Sequence, residues 1–158
     1  MRTIQLFIML MVAGVMSVNA QNEIMDNQQK SELFFSKQVQ GSMEEVYQRV
    51  VEALKVEKFG VITEIDMAKT LNEKLGVEMK PYKILGVCNP GFAYEAIQAE
   101  PNIGVFLPCK VILKQLDENT IEVVSMNPET MMKMLENEKL DKTAKSVGQK
   151  LEKVVLGL

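Results

Sequence analysis

Two cysteines, Cys88 and Cys109, are the residues of this chain best suited to chemistry. Cys88 is followed by Asn89 and Pro90, Cys109 is preceded by Pro108, and each cysteine adjoins an apolar run. Three interpretations stay open: a structural disulfide, two buried thiols that pack as small apolar side chains, and reactive thiols for redox chemistry or sulfur transfer. A disulfide between them would stabilise the fold by about 3 kcal/mol on the chain-entropy model.

The turn after Cys88, Asn89-Pro90-Gly91, ends a predicted strand and begins a helix. Free backbone N–H groups at such a helix start can lower the pKa of Cys88, and they can also receive an anion. The chain has no Cys-x-x-Cys motif, which argues against redox chemistry. The turn residues Asn89, Pro90 and Gly91, together with Pro108 beside Cys109, are our candidate binding groove.

Histidine is absent from the chain. Its absence removes the usual general base near neutral pH, the nucleophile–histidine arrangements and the commonest zinc and copper ligand. No pair of carboxylates is distinguished as an acid and a base. We therefore assign no catalytic residue, expect no cofactor, and favour a protein that is not an enzyme.

A methionine cluster follows the last predicted strand: Met126, Met131, Met132 and Met134. Soft thioethers can hold Cu(I), and Cys109 is a further candidate ligand. Methionines at helical spacing are more often core residues. Met126, Met131 and Met134 are accordingly weak metal-ligand candidates.

The charge balance excludes one class of partner. The chain has 18 basic and 21 acidic residues, a formal net charge of −3, no tryptophan, and no block of Lys or Arg. Nucleic-acid binding needs a concentrated basic face, often with aromatic stacking platforms. We therefore predict that nucleic acid is not a partner.

The first twenty residues, Met1 to Ala20, have the pattern of a secretory signal peptide. A positive start precedes the apolar run Leu6 to Val18, and small residues mark a cleavage site after Ala20. The apolar run is short for a membrane span. The pattern predicts a periplasmic or secreted protein with no stable membrane span after cleavage, with residues 21–30 as a flexible lead-in.

The elements that position the cysteines are predicted in a single domain, residues 31–158. Periodicity, caps and β-branched runs predict helices from Met43 to Val56, Asp66 to Leu75 and Phe92 to Ala99, with a short one after Asn127-Pro128 and a long one over 138–156. Strands are predicted at Glu32–Val39, Phe59–Ile65, Tyr82–Cys88, Ile103–Leu116 with an interruption at Pro108, and Thr120–Met126.

This order predicts an α+β fold. We expect a mostly antiparallel sheet of about five strands. Two long helices cover one face of that sheet, and short helices lie in the connections.

The residues also resemble the family of domains of unknown function numbered 302. The resemblance covers residues 30–135 and rests on the two cysteine–proline neighbourhoods together with Phe59-Gly60-Val61, Leu75-Gly76, Glu100-Pro101, Ile103-Gly104 and Asn127-Pro128. It implies a small α+β domain with a curved antiparallel sheet, often paired as a homodimer, with no established activity. Two departures are Lys110, where relatives are expected to have Asn, and Asn127, where they are expected to have Asp.

These observations favour an exported domain that binds a small ligand or an exported partner protein in the groove near Cys88 and Pro108. The alternative from another class is a thiol-based redox or sulfur-handling protein that uses Cys88 and Cys109. A second alternative is a copper-binding protein with Met and Cys ligands.

Overall fold

A computed structural model describes residues 32–158 of the chain. The predicted signal peptide and lead-in, residues 1–30, lie outside the described residues. The described elements, in chain order, are β1 (Phe34–Gln40), α1 (Met43–Val56), β2 (Gly60–Asp66), α2 (Met67–Leu75), β3 (Tyr82–Cys88), α3 (Pro90–Ala99), a 3-10 helix (Pro101–Phe106), β4 (Cys109–Asp117), β5 (Thr120–Met126), α4 (Pro128–Met132), a second 3-10 helix (Lys133–Leu135) and α5 (Glu138–Leu156).

The five strands form one open sheet in the order β1-β5-β4-β3-β2, and every neighbouring pair is antiparallel. The predicted α+β class with an antiparallel sheet of about five strands is therefore confirmed. β4 lies between β3 and β5, and both of these strands run antiparallel to it. They therefore finish at the end of the sheet where β4 begins. The segments that follow β3 and β5 therefore start at the same end of the sheet, beside Cys109.

Local side-chain caps explain where the first helices begin. The Ser42 side chain accepts a hydrogen bond from the backbone of Glu45, whose carboxylate accepts one from the backbone N–H of Ser42. Asp66 caps α2 by accepting from the N–H of Lys69, and Gly76 ends that helix with a φ of 66°. The predicted bounds of α1 and α2 are confirmed by these contacts.

The two long helices, α1 and α5, cover one face of the sheet and contact each other. Alternate residues of the strands point toward these helices, and the shared apolar surface forms the main core. Its buried members are Val39, Val46, Val50, Leu54, Phe59, Leu85, Val87, Val111, Leu113, Ile121, Val123, Val147, Leu151, Val154 and Val155.

Polar contacts fix α5 at two points along its length. The ammonium of Lys150 lies 2.6 Å from the carboxylate of Glu57, at the end of α1. Lys37, on the edge strand β1, donates to the carbonyl oxygens of Leu156 and Leu158, each at 2.7 Å. A cation at this end of the helix also complements the helix dipole.

The prediction of strand structure from Ile103 to Leu116 is wrong in its first half. Residues Pro101–Phe106 form a 3-10 helix, and β4 begins only at Cys109, after Pro108. The Glu100 side chain accepts from the N–H of Asn102, and Pro101 suits the first helical position. A short apolar run with β-branched residues does not by itself distinguish a strand from such a turn. The first strand also starts later than predicted, at Phe34.

Among the residues that the structure describes, no helix is long and apolar enough to cross a membrane.

Candidate functional site

A small cavity of about 60 Å³ lies at the sheet end where β3 and β5 finish and β4 begins. The sheet contributes residues from three adjacent strand ends: Val87 and Cys88 from β3, Cys109 from β4 and Met126 from β5. Helical side chains complete the wall, chiefly Phe92, Ala93, Ala96, Ile103, Phe106, Met132, Leu140, Ala144 and Val147.

The same two-residue signal, Asn-Pro, turns the chain at both strand ends beside the cavity. Asn89 Oδ1 accepts from the N–H groups of Gly91 at 3.2 Å and Phe92 at 3.4 Å, which caps α3. Asn127 Oδ1 accepts from the N–H of Glu129 at 3.1 Å, which caps α4. Because proline lacks an N–H and has a helical φ, it suits the position after each cap. The two Asn-Pro pairs thus place α3 and α4 beside the cavity.

Several helical residues that line the cavity are small or flexible, although Phe92 and Phe106 are large. Ala96 and Ala144 are buried there, and so are Ile103, Met132 and Leu140, which together form a second apolar cluster apart from the main core. Alanine leaves room that a larger side chain would fill, and methionine adapts to irregular space. The cavity follows from these residue types.

The wall of the cavity is almost entirely apolar. Its polar side chains include Asn89 and Thr143, and both have partners within the protein. Asn89 Oδ1 caps α3, and the Thr143 hydroxyl donates to the Glu95 carboxylate at 3.2 Å. The arrangement suits contact with apolar groups, because a polar ligand would lose its hydrogen bonds to water without replacement.

Cys88 and Cys109 are both free thiols in the structure. The disulfide stays one of the three open interpretations. The pKa of Cys109 is raised to about 11, chiefly by burial and in addition by the nearby Cys88, while the charge of Lys110 acts in the opposite direction. Burial also raises the pKa of Cys88. The expectation that the helix start lowers the pKa of Cys88 is therefore wrong, and both thiols are protonated near neutral pH.

The helix start after Cys88 also differs from the anion site considered from the sequence. Pro90 has no N–H, Gly91 and Phe92 donate to the Asn89 side chain, and Ala93 donates to the Asn89 carbonyl. The donors of the first turn of α3 are therefore already engaged, and the turn has none left for an anion.

Of the four groove residues proposed from the sequence, Asn89 lines the cavity, whereas Pro90, Gly91 and Pro108 are not among its wall residues. Pro108 follows a cis peptide bond and lies against β3 beside Gly86. A Cβ at Gly86 would lie 2.7 Å from Pro108 Cγ and 2.1 Å from Thr63 Oγ1. Gly86 alternates with the core residues of β3, so this close approach is on the sheet face opposite the main core.

The structure also separates the methionines. Met126 and Met132 line the cavity, whereas Met131 and Met134 do not, and the Met134 side chain is 77% exposed. Of the three weak metal-ligand candidates, Met126 alone lines this cavity, and their role as metal ligands stays a prediction. Among the described residues, no group of three or more His, Cys, Asp or Glu side chains is placed to hold a metal ion.

Sequence reasoning missed most of the helical wall, above all Ala96 and Ala144. Single alanines on a helix do not indicate a functional site in a sequence. The one available signal was the repeated Asn-Pro pair directly after two strands. It shows that two helices begin beside one sheet end, once the strand order is known.

Fold and site together define a class of protein: small α+β domains whose open antiparallel sheet is covered on one face by helices, with an apolar cavity at one sheet end. The sequence matches the family described as "Domain of unknown function DUF302" over residues 35–158. The chain belongs to this family, and the match includes α5, beyond the residues 30–135 on which the motif resemblance rested.

A solved structure agrees with this assignment. The crystal structure of an uncharacterized conserved DUF302 protein from Bacillus stearothermophilus is similar to this chain, with 31% sequence identity and a TM-score of 0.68. The similarity covers 77% of this chain and 95% of the other. A search of curated proteins finds no match.

The two departures from the expected family pattern have structural roles here. Asn127 caps α4, a role that Asn and Asp fill about equally well. Lys110 is exposed, and its ammonium donates to the carbonyl of Pro108. Neither residue lines the cavity.

Proposed function

We propose that this protein is a binding module whose cavity receives a small, uncharged, apolar molecule or the apolar end of a longer one. The observation that carries the proposal is the cavity itself, which lies at the junction of three strands and three helices and has an almost wholly apolar wall. Preformed apolar concavities with few polar groups are the usual form of small-molecule sites.

The size and polarity of the cavity support this class of ligand. A dry apolar cavity in a protein core can take up benzene or xenon, because such ligands lose little on leaving water. The volume of about 60 Å³ is smaller than the apolar cavity of about 150 Å³ that holds benzene, so it suits xenon or the end of a longer apolar group rather than a metabolite with many polar groups. The raised thiol pKa values make Cys88 and Cys109 poor nucleophiles near neutral pH, so they do not favour the redox alternative.

Xenon is the first probe we would use, because it is small enough for the cavity, with protein whose methionine methyl groups are labelled with carbon-13. We expect the Met126 and Met132 methyl signals to shift on titration, because both residues line the cavity. The exposed Met134 signal should not move, and it serves as an internal control. Equal shifts for all three methyls, or none, would contradict a defined apolar site.

Filling the cavity provides the matched test. Ala144→Leu adds three carbon atoms to a wall residue and should abolish the Met132 shift. Ala68→Leu, the same substitution in α2 away from the cavity, should leave xenon binding unchanged. If both variants bind xenon as the natural protein does, the ligand lies elsewhere and the proposal fails.

We also propose that the protein acts in the periplasm or outside the cell, on the strength of the signal pattern in residues 1–20. Mass spectrometry of the exported protein should find a chain beginning at Gln21. An intact Met1 start in the cell-envelope fraction would overturn this proposal.

Homodimerisation, which the family resemblance implies, is a further proposal, and so is an exported protein partner. Sedimentation velocity of the purified protein tests the first directly. A single species of monomer mass across a hundredfold concentration range would rule out a stable homodimer.

A further inference from the structure

The five-stranded sheet has a second face, the open face, that neither α1 nor α5 covers, because both helices pack on the side of the main core. One row of directly paired residues crosses the open face: Ile65 on β2, Ile84 on β3, Ile112 on β4 and Val124 on β5. Paired residues of neighbouring antiparallel strands lie on the same face of a sheet. The row therefore forms a continuous apolar band over four adjacent strands.

The apolar band is separate from the two buried clusters. None of its four residues belongs to the main core or to the cluster around the cavity. Ile65 is 43% exposed, and the other three residues are half-buried. The helix that connects β2 to β3, α2, contributes no buried residue. The band is therefore accessible in a single chain, and it is not needed to complete either cluster.

Apolar side chains at the centre of the open face depart from the usual pattern. An antiparallel sheet that is covered on one face commonly has polar side chains on its other, solvated face. The edge strand β1 follows this rule, since Ser36 and Gln38 on the open face are polar and exposed. The three strands beside it instead place Ile84, Ile112 and Val124 there. An apolar centre with a polar rim is the anatomy of a protein interface.

The charged side chains that flank the band on β4 and β5 have partners within the chain. The ammonium of Lys114 lies 2.8 Å from the carboxylate of Glu122, which also accepts from the Ser36 hydroxyl at 2.6 Å. Lys110 donates to the carbonyl of Pro108. Because cations and an anion are interspersed, the open face has no field of one sign that would select a strongly charged partner. These features favour a partner surface that is itself apolar and nearly neutral.

The size of the open face fits a second copy of this chain. The sheet has five strands, and four of them have seven residues each. At a strand spacing of about 4.8 Å and a rise of about 3.3 Å per residue, the face measures roughly 23 Å in each direction, or about 500 Å². Two such faces in contact bury at least about 1,000 Å² together, which is the size at which specific interfaces begin.

We propose that the open face is the interface of a homodimer in which two copies pack sheet against sheet, with their apolar bands in contact. This inference rests on the homodimer proposed above and adds the surface that forms it. A contact between identical faces requires a surface that complements itself, and a nearly neutral face with an apolar centre meets this condition. Ile112 lies on the central strand of the sheet, so its side chain is at the centre of the interface.

Sedimentation velocity over a range of concentrations gives the dimer dissociation constant of the natural protein and of its variants. Ile112→Glu should raise this constant by more than about a hundredfold, because each dimer would bury two unpaired carboxylates. Val105→Glu is the matched control. It adds the same charge at an apolar residue that is 86% exposed on the first 3-10 helix, outside the sheet, and should leave the constant unchanged.

A second variant keeps the test valid if the buried charge disturbs folding. Ile112→Thr retains a β-branched side chain that suits a strand, and should raise the dissociation constant by about tenfold. Circular dichroism checks that each variant is folded, which we expect because Ile112 lies outside both buried clusters. Xenon binding, read at the Met132 methyl in the cavity wall, should persist in both variants.

Three results would overturn the proposal. A monomer at every concentration would reject the interface and the homodimer together, while xenon binding would still report on the cavity separately. A dimer whose dissociation constant is the same in Ile112→Glu would mean that the interface lies elsewhere, and the homodimer itself would stand. Equal weakening in Ile112→Glu and Val105→Glu would show that the added charge, rather than its position, opposes association.

Discussion

The two apolar clusters of this domain are built differently, although they share α5 and adjoin at the end of the sheet. The main core packs β-branched and leucine side chains between the sheet and two long helices, and most of its members are wholly buried. The second cluster uses alanine and methionine between short helices and encloses a cavity. The comparison suggests that the main core maintains the fold, while the second cluster leaves room for a ligand.

The largest expected effect comes from replacing one buried leucine by alanine in each cluster and comparing the loss of stability. Leu113→Ala in the main core should destabilise the protein by about 3–5 kcal/mol, because a buried leucine leaves a cavity that its close-packed neighbours cannot fill. Leu140→Ala, in the wall of the existing cavity, should cost about 2 kcal/mol, because that side chain has fewer contacts to lose. Urea unfolding measures both.

Equal costs for the two leucines would mean that the second cluster is packed as tightly as the main core. In that case the cavity would not be a region of relaxed packing, and its role as a ligand site would lose its structural basis.

A smaller effect on stability is expected when one carbon atom is added to a side chain instead of three being removed. Val50→Leu overpacks the main core and should cost about 1–2 kcal/mol. Val147→Leu adds the same group to a residue that lines the cavity, and should change stability by less than about 0.5 kcal/mol. Thermal unfolding of the two variants, both on long helices, checks this, and a reversed order would contradict the comparison.

The smallest effect concerns the ion pair that joins the two helices over the main core. The hydrogen bond from Lys150 lowers the pKa of Glu57 from its usual 4.5. A carboxyl with a lowered pKa adds stability that is present above about pH 4.5 and is lost as the pH falls through the folded value. Glu57→Gln should therefore cost about 0.5 kcal/mol at pH 7 and little at pH 3.

The control for this variant is Glu52→Gln, which neutralises an exposed carboxylate on the same helix. Stability measured from pH 7 to pH 3 should fall less steeply for Glu57→Gln than for the natural protein, while Glu52→Gln should follow the natural protein. Identical pH profiles for all three would show that the ion pair adds nothing.

The parts of the fold that local chemistry determines were predictable from the sequence. Helix starts could be predicted at Ser42, Asp66 and Asn89, because each of these residues caps a helix through contacts with its neighbours in the chain. The 3-10 helix after Glu100 was not predictable in this way, because its apolar residues have no period that separates a short helix from a strand.

The cavity was predictable only in part. Both cysteines and Asn89 were identified, because their residue types and the proline neighbours stand out in the sequence. The sequence did not single out Met132 as a wall residue, because α4 has only five residues, too few for periodicity to show which side faces inward. Ala96 and Ala144 could not be predicted as wall residues, because they form part of the cavity only through the small size of their side chains.

The close approach at Gly86 has a consequence for the history of the family. A side chain at this position would meet the Thr63 hydroxyl at 2.1 Å and the Pro108 ring at 2.7 Å, and the ring cannot rotate away. A residue larger than glycine at this position therefore requires changes at both Thr63 and Pro108. A relative with a larger residue in place of Gly86 should carry a smaller one in place of Thr63 and a displaced or different residue in place of Pro108.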